Sequence, residues 1–287
     1  MRRRAILDAT LSPGRASKGA WTTQKYRAIA GVRTDARMAR MQNRQLGNVG
    51  NLGDVIKHAA LVELASLLVA RSPSRVSFVD THAFQLHAPL PDRARWEREV
   101  STLESRHPAY AGYVAKERAS LRRNGHYRCS SGLVIDALGP HRTCAVLGEA
   151  NAASRAVLTS QLVAEGLTGV VIVDDASAVD RAAFAPGGGA LLVHVDPFSL
   201  SPRSWAAFAP ALEAITARSA ATALVAYRYS RVARAPWPTA PERTIGPVAE
   251  TRGGPHEVAA YASPTLAEAV RAVCASLGWD IETPTRG

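Results

Sequence analysis

The sequence predicts an α/β fold with a mainly parallel sheet of the Rossmann-like type. Apolar runs that end in polar residues recur along the chain, at 75–82, 143–149, 170–175 and 191–196. Helical patterns separate these runs, and a regular alternation of strands with helices is typical of a parallel sheet. In such a sheet the carboxyl ends of the strands form the ligand crevice. The polar residues at the ends of these runs are therefore the first candidates for functional groups.

The clearest of these runs is 191–195, which ends abruptly at Asp196-Pro197. Proline cannot continue a central strand, because it has no N–H to donate to the neighbouring strand. The run therefore predicts a buried strand that places the carboxylate of Asp196 at the edge of the sheet. Asp196 is then either a working residue or a turn or helix-capping aspartate.

The positive charge of the chain is concentrated at its start. The 287 residues carry a formal net charge of +11, but residues 1–40 hold ten Lys and Arg against two Asp, which gives +8 and leaves +3 for the rest. We expect residues 1–40 to form a basic, disordered leader, because the segment is rich in Arg, Ser, Thr and Ala with little periodicity. One folded domain is expected over 41–287. Its mild charge does not by itself indicate RNA binding.

Three further expectations come from composition. No apolar run reaches the roughly 18 to 20 residues that span a bilayer, so no membrane partner is expected. The scattered histidines and the three cysteines, Cys129, Cys144 and Cys274, lack the spacing of metal ligands, so no metal is expected. An odd number of cysteines without a signal peptide favours the cytoplasm.

The first helix is predicted from about Leu52 to Val69, after a glycine-containing loop. Its apolar residues recur at helical spacing, and either Asn51 or Asp54 can cap its start. Lys57 and His58 lie in its early turns, close to any ligand held at that end. The alternative is an ordinary solvated Lys-His pair.

The strand predicted at 75–82 delivers Asp80-Thr81-His82 to the same edge of the sheet. The glycine-rich turn that binds phosphates is absent after it, because Ala83–Leu86 contains no glycine. Residues 88–125 change to charged helical stretches punctuated by proline, which predicts a helical insertion. A local basic face on it (Arg118, Arg122 and Arg123) is either a solvated surface or a patch that faces substrate.

Two further segments supply polar groups at strand and helix ends. Residues 128–138 predict a Ser-Ser-Gly turn that opens a helix, whose amides and hydroxyls suit an anion. Glu149 follows the strand at 143–148, in a position that commonly receives ribose hydroxyls in nucleoside-binding folds. Beyond Asp196 the pattern predicts a helix at 205–218, a strand at 221–227, a long loop at 233–255, a weak strand at 258–262 and a terminal helix at 266–277.

Several of these stretches form an ordered set. The string Gly50-Asn51-Leu52-Gly53-Asp54-Val55-Ile56-Lys57-His58 has the form GNxxDVxKH, and Asp80-Thr81-His82-Ala83, Ser131, Glu149, Asp175 and Asp196-Pro197 follow it in order. In this order and spacing, over about residues 43–280, the chain resembles the RlmJ-type ribosomal RNA adenine methyltransferases. These enzymes use S-adenosylmethionine to methylate the exocyclic amine of an adenine in large-subunit ribosomal RNA. The resemblance implies a Rossmann-like methyltransferase fold with a helical insertion.

The resemblance also implies roles for individual residues. His58 and His82 would flank the methionine part of S-adenosylmethionine, Ser131 would help to hold it, and Glu149 would accept the ribose hydroxyls. Asp175 and Ala176 would lie beside the adenine. Asp196 would be the catalytic residue, accepting a hydrogen bond from the acceptor amine. Lys57, Asn51 and Phe198 are the candidates for contact with the acceptor.

The chain departs from the family pattern in the parts that handle the acceptor. The family's Asp-Pro-Pro-Tyr is Asp196-Pro197-Phe198-Ser199 here, so that Phe198 is left to supply an aromatic face. The family's Tyr-Arg-His start appears as Asn43-Arg44-Gln45, and its GAGR is absent after Ala83. The acceptor is therefore an amine either of RNA, such as adenine, or of a small metabolite. The alternative is an altered protein that binds cofactor, RNA or a protein partner without methylating.

Overall fold

A computed structural model describes residues 45–72, 76–141, 143–175, 189–197, 202–229, 243–245, 249–251 and 254–282. The predicted leader at 1–40 and two predicted site residues, Ala176 and Phe198, lie outside these ranges. Among the helices in them, none is long and apolar enough to cross a membrane.

Five parallel strands form one half of the main sheet. They are β1 (Val76–Asp80), β4 (Thr143–Gly148), β5 (Val170–Val173), β6 (Ala190–Val195) and β7 (Thr222–Tyr229). Their order across the sheet is β5-β4-β1-β6-β7, and each neighbouring pair is parallel. The strand order reverses between β1 and β6, and ligands bind at such switch points in open α/β sheets. The predicted α/β class with a Rossmann-like parallel sheet is confirmed.

The other half of the sheet is antiparallel and includes strands that the sequence pattern did not predict. Strand β10 (Gly254–Ala262) pairs with β7 on one side and with β8 (Arg243–Ile245) on the other. Two short strands, β9 (Ala249–Thr251) and β11 (Asp280–Glu282), pair with β10 and β8. The prediction of one long loop over 233–255 is therefore wrong. Pairing with the long β10 makes strands of short segments whose Pro, Gly and Arg content gives no alternating pattern.

Helices cover both faces of the sheet. They are α1 (Leu52–Arg71), α2 (Arg93–Arg106), α3 (Ala111–Asn124), α4 (Ser130–Leu138), α5 (Ala152–Ala164), α6 (Pro202–Thr216) and α7 (Ala267–Ser276). Leu64 of α1 and Leu133 of α4 belong to the larger apolar core on one face, together with Phe78 of β1. Leu212 of α6 packs in a second core on the opposite face, together with Val193 of β6.

The helical insertion predicted over 88–125 contains α2 and α3. A ribbon of β2 (His87–Ala88) and β3 (Tyr127–Arg128) joins the chain before α2 to the chain after α3. Arg118, which the pattern placed on a basic face, forms ion pairs with Glu97 and Glu104, both at 2.8 Å. Since its charge is matched by two carboxylates of α2, Arg118 links α3 to α2 and does not form an open basic patch with Arg122 and Arg123.

Helix α1 places polar residues at the switch point. The Oδ1 atom of Asn51 accepts the N–H of Asp54 at 3.0 Å, so Asn51 is the cap, one of the two residues predicted for this role. Gly53 permits close approach to β7, because a Cβ atom there would lie 2.2 Å from the hydroxyl of Tyr227. Lys57 and His58 are only 4% and 2% exposed, which excludes the interpretation as a solvated pair.

Candidate functional site

A cleft lies at the carboxyl ends of β1 and β6, beside the starts of α1 and α4. Its empty volume is about 590 Å³, continuous with solvent. Five of the predicted site residues line it: Asn51, Lys57, His58, His82 and Asp196. The prediction that Asp196 stands at the carboxyl end of a buried strand is confirmed, since β6 is fully buried and ends at Val195.

Lys57 lies between two carboxylates in this cleft. Its ammonium group pairs with Asp196 Oδ2 and lies 2.7 Å from Asp54 Oδ1. It also lies 5.2 Å from the ring centroid of Tyr227. Burial opposes the charge of Lys57, but Asp196 and Asp54 outweigh it and raise the pKa of Lys57 well above its ordinary value. Lys57 is therefore a fixed cation that holds Asp196 in place.

Asp54 supports this arrangement from the start of α1. Its Oδ2 atom accepts the N–H of Gly50 at 2.9 Å, and Gly50 has a positive φ of 76° that favours glycine. Burial raises the pKa of Asp54, and Lys57 only partly offsets this. Asn51 uses its amide within the same loop, because its Nδ2 donates to the carbonyl of Asn48 at 3.0 Å.

The two oxygens of Asp196 differ. Oδ2 pairs with Lys57, whereas Oδ1 is buried and has no hydrogen-bond partner within the part of the chain that the structure describes. A buried acceptor without a donor is unfavourable by about 1–3 kcal/mol. Asp196 therefore offers one carboxylate oxygen to a donor brought into the cleft.

Asp80, the last residue of β1, is fully buried and surrounded by hydrogen-bond donors. Its Oδ2 accepts the hydroxyls of Ser130 at 2.9 Å and Ser131 at 2.8 Å. Its Oδ1 lies 3.0 Å from His194 Nδ1 and accepts the N–H of His82 at 3.3 Å. Burial favours protonation, but His194 and the two hydroxyls lower the pKa of Asp80 to about 2. Asp80 is an ionised structural centre beneath the cleft.

This network determines the surroundings of Ser131. Ser131 is fully buried and donates its hydroxyl to Asp80, and it is not among the residues that line the cleft. Ser130 does line the cleft. The role in holding the cofactor that the resemblance implies for Ser131 stays a prediction.

Glu149 follows β4, next to β1 in the sheet, and has one satisfied and one unsatisfied oxygen. Oε1 accepts the N–H of Asn151 at 2.6 Å. Oε2 is buried without a hydrogen-bond partner among the described residues. Burial raises the pKa of Glu149 to about 8, an effect that the Asn151 N–H and the charge of Arg155 only partly offset. Donors brought to Oε2 would stabilise the ionised carboxylate.

Two histidines that line the cleft are both neutral near pH 7. Burial is the main cause in each: the pKa of His82 is lowered to about 4, and that of His58 well below its usual range. His82 Nδ1 lies 2.8 Å from the hydroxyl of Thr81, and His58 Nδ1 lies 3.1 Å from the hydroxyl of Tyr127. Neutral imidazoles can act as hydrogen-bond partners of a ligand without repelling a cation.

Two further predicted site residues, Glu149 and Asp175, do not line the cleft, and Asp175 is exposed two residues after β5. No group of three or more potential metal ligands occurs in the described ranges.

Sequence reasoning did not assign four residues that the structure brings to the site: Asp54, Tyr127, His194 and Tyr227. Asp54 is part of the GNxxDVxKH string, where its position predicts only a possible helix cap. His194 lies two residues before Asp196, where strand alternation predicts that both face the same side. The two tyrosines reach the site from β3 and β7, and nothing in their local sequence marks them.

No protein-family model and no curated protein matches the chain. Among solved structures, protein LPL1258 from Legionella pneumophila, with the family designation DUF519, is similar at 14% identity and TM-score 0.57, covering 83% of this chain and 99% of its own. A methyltransferase from Geobacter sulfurreducens matches at 14% identity and TM-score 0.36, over 83% and 94% of the two chains. An rRNA methylase from Streptococcus thermophilus matches at 10% identity and TM-score 0.36, over 71% and 93%. At 14% identity the likeness to LPL1258 concerns the fold alone.

Proposed function

We propose that this protein is an S-adenosylmethionine-dependent methyltransferase that acts on an amine. The observation that carries the proposal is the state of Asp196: Lys57 holds one of its oxygens, while the other is buried without a partner within the described ranges. It stands at the carboxyl end of β6, at the switch point where ligands bind in this class of sheet. A carboxylate placed in this way can accept an N–H from an amine and orient its lone pair.

The residues present fit S-adenosylmethionine. The unsatisfied Oε2 of Glu149 is an acceptor at the end of β4, where the two hydroxyls of a ribose would supply donors. We propose that His58 and His82 flank the methionine part, with Ser131 beside them, and that Asp175 and Ala176 lie near the adenine. When bound, the cofactor supplies an electrophilic methyl group. The neutral state of both histidines suits a site that must accept a sulfonium cation.

The part that the chain plays in the reaction is mainly positioning. Asp196 Oδ1 accepts one N–H of the acceptor amine, and Lys57, held by Asp54, keeps the carboxylate from rotating. Placing the amine nitrogen in line with the reacting methyl turns a bimolecular encounter into a reaction between neighbours. Gln45 also lines the cleft, and its Oε1 is buried without a partner among the described residues. Gln45 is therefore a candidate for a second N–H of the same amine.

Two acceptors remain in the proposal: an exocyclic amine of RNA, such as that of adenine, and an amine of a small metabolite. Within the described residues that line the cleft, Lys57 is the only Lys or Arg, and its charge is matched by two carboxylates. Phosphate attraction would therefore come from outside the cleft, and the ten Lys and Arg of residues 1–40 are the main source of it. We place the reaction in the cytoplasm, where Cys129, Cys144 and Cys274 would remain free thiols, as they are here.

Methyl transfer from tritiated S-adenosylmethionine tests the function. The acceptors are unmodified ribosomal RNA and a set of small primary amines, tested side by side. We expect transfer to one of them, and we expect Asp196→Asn to lower its rate at least about 100-fold while the Kd for cofactor stays within about twofold. Glu213→Gln, which neutralises an exposed carboxylate on α6, is the control and should leave the rate unchanged. Cofactor binding without transfer to any acceptor would favour the non-methylating alternative.

Salt dependence distinguishes the two acceptors. If RNA is the acceptor, its affinity should fall steeply as salt rises, because each neutralised phosphate releases counterions. Deleting residues 1–40 should then reduce both the affinity and its salt dependence. An affinity that salt does not change would argue for a small, uncharged acceptor.

A further inference from the structure

A second cavity, called the loop pocket below, lies between the loop at 47–51 and the start of α2. Its empty volume is about 410 Å³, continuous with solvent. Four residues at helical spacing line it on the helix side: Asp92, Arg95, Trp96 and Glu99. Three residues of the loop line both the loop pocket and the cleft: Asn48, Val49 and Asn51. The two cavities therefore lie on either side of one short loop, and a ligand that enters both must pass around it.

The side chain of Trp96 brings an unsatisfied hydrogen-bond donor to the loop pocket. Trp96 is 2% exposed, and its Nε1 has no hydrogen-bond partner within the part of the chain that the structure describes. The nitrogen edge of its ring faces Gly50, which also lines the pocket. A Cβ atom built on Gly50 would lie 3.2 Å from Cδ1 and 3.6 Å from Nε1 of Trp96. A ligand atom that accepts this N–H would relieve an unfavourable buried donor.

A second buried tryptophan shows how such a donor is normally satisfied. Trp279 is 4% exposed, and its Nε1 donates to the hydroxyl of Tyr110 at 2.8 Å. Most buried polar groups have a partner of this kind. Trp96 lacks one among the described residues, although it lies beside an open cavity. Its N–H therefore points to an acceptor that comes from outside the folded chain.

The charges around the loop pocket favour an uncharged ligand group. Arg95 is the only cation among the described lining residues, and its Nε pairs with Glu99 Oε1 at 2.6 Å. Asp92 also lines the pocket, where its Oδ1 accepts the backbone N–H of Arg95. A phosphate in the pocket would meet two carboxylates and one matched cation. The edge of a nucleobase, in contrast, offers uncharged acceptor atoms.

Positive charge that suits phosphates lies beside the loop pocket and not within it. Arg93 and Arg98 are exposed on α2, and helical geometry places them on either side of the face that lines the pocket. Proteins that bind single-stranded RNA combine pockets or platforms for the bases with basic side chains along the backbone. A small amine that occupies the cleft alone would use neither Trp96 nor these arginines.

We propose that the loop pocket binds a base of the acceptor RNA next to the methylated nucleotide, and that an acceptor atom on the edge of this base accepts the N–H of Trp96. The inference rests on the proposed function, and of its two acceptors it selects RNA. Trp96 is then a specificity residue, which contacts the substrate away from the reacting atoms.

A thermodynamic cycle tests the contact. The probe is a single-stranded RNA of about ten nucleotides, one central adenine among uridines. Two further probes lack the base on one side or the other of the adenine and keep the ribose and phosphate. Trp96→Phe should raise the Kd for the complete RNA about fivefold, the effect of one hydrogen bond between uncharged groups. For one of the abasic probes it should change the Kd less than about twofold, because the acceptor is already missing. Equal effects on all three probes, or none on any, would overturn the inference.

Trp279→Phe is the matched control for this cycle. It also removes a buried indole N–H, but neither Trp279 nor its partner Tyr110 lines the cleft or the loop pocket. The Kd values of all three probes should stay within about twofold of the wild type. If Trp279→Phe weakened RNA binding as much as Trp96→Phe does, the effect would be a general loss of structure, and the inference would be overturned.

The indole signals of the wild-type protein give a readout that does not depend on any variant folding. In ¹⁵N-labelled protein, the Nε1–H proton signal of Trp96 should move downfield when the complete RNA is added, because this N–H gains an acceptor. The signal of Trp279, whose N–H already has one, should stay in place. An unmoved Trp96 signal in the RNA-bound protein would show that solvent satisfies this N–H, and it would overturn the inference.

The failure of this inference and the failure of the proposed function give different results. Methyl transfer to a small amine without binding of the RNA probe would overturn the role of the loop pocket and leave the methyltransferase proposal in place. RNA binding with the expected cycle, but without binding of S-adenosylmethionine, would overturn the proposed function and support the contact with Trp96.

Discussion

Two neighbouring strands of the sheet, β1 and β4, are each followed or ended by a buried acid, and the two acids have opposite protonation states near pH 7. Asp80, at the end of β1, receives two serine hydroxyls and a backbone N–H beside His194, and its pKa is about 2. Glu149, just after β4, receives one backbone N–H, and its pKa is about 8. Both are at most 4% exposed. His194 and the number of hydrogen-bond donors, and not burial alone, decide which acid is ionised.

Under the proposed function, this difference separates a structural residue, Asp80, from a residue that would bind the ligand, Glu149. A carboxylate whose acceptors are all used stabilises the protein and has little capacity left for a ligand. A carboxyl group with a buried, unsatisfied oxygen is unfavourable in the free protein, and the binding of a donor relieves this. Stability and ligand affinity should therefore respond in opposite ways when the two acids are changed.

The largest loss of stability is expected for Asp80→Asn. The change removes the negative charge that two hydroxyls and His194 surround, so the free energy of unfolding should fall by about 3 kcal/mol. Urea unfolding followed by circular dichroism measures it, with Glu149→Gln as the matched loss of a buried acid. A loss for Asp80→Asn no greater than that for Glu149→Gln would remove the contrast between the two acids.

Acid unfolding gives the next largest effect. Because the pKa of Asp80 is about 2 in the folded protein and about 3.8 when unfolded, its contribution is present above pH 3.8 and is lost as the pH falls toward 2. The loss is about 2 kcal/mol. Urea midpoints measured across this pH range should show it in the wild type and not in Asp80→Asn. Parallel curves for the two proteins would contradict the assignment.

Glu149 should produce the opposite slope at higher pH. Its raised folded pKa means that the unfolded chain loses its proton near pH 4.5 while the folded protein keeps it until about pH 8. Stability should therefore decrease as the pH rises through this window. Glu149→Gln, which cannot ionise, should be more stable than the wild type at pH 8 by about 1 kcal/mol or more. A less stable variant at pH 8 would show that Oε2 is already satisfied.

The smallest loss of stability is expected for substitution of the two serines that donate hydrogen bonds to Asp80. Ser131→Ala removes one of two hydroxyl donors and should reduce stability by about 1 kcal/mol. Ser130→Ala should reduce stability somewhat less than Ser131→Ala does, because Ser130 lines the open cleft. If Ser131→Ala weakened S-adenosylhomocysteine binding without affecting stability, the hydroxyl would belong to the ligand site and not to Asp80.

The sequence predicted those features of the molecule that depend on local sequence pattern. The parallel strands, α1 with its cap, α4 after Cys129, and the positions of Glu149 and Asp196 at strand ends all follow from periodicity and from polar residues where it stops. The resemblance to a methyltransferase family supplied the proposed roles.

The sequence did not predict the contacts between segments that are distant along the chain. Tyr127 and His58 are 69 positions apart, and Lys57 and Asp196 are 139 apart. The short strands β8, β9 and β11 exist through pairing with β10 or with each other. Whether an acid such as Asp80 or Glu149 has its donors depends on where Ser130, Ser131 and His194 lie in space, and no local pattern contains that information.

Under the proposed function, the hydroxyls of a ribose supply the donors that Oε2 of Glu149 lacks among the described residues. Calorimetry of S-adenosylhomocysteine binding to the full chain at pH 7, in two buffers of different ionisation enthalpy, tests it. Donors from the ribose favour the ionised carboxylate, so binding should release up to one proton from Glu149 and the observed enthalpy should depend on the buffer. Glu149→Gln should bind at least about tenfold more weakly and release no such proton. Binding with the same enthalpy in both buffers and unaffected by Glu149→Gln, or no binding at all, would show that Glu149 does not hold the ribose.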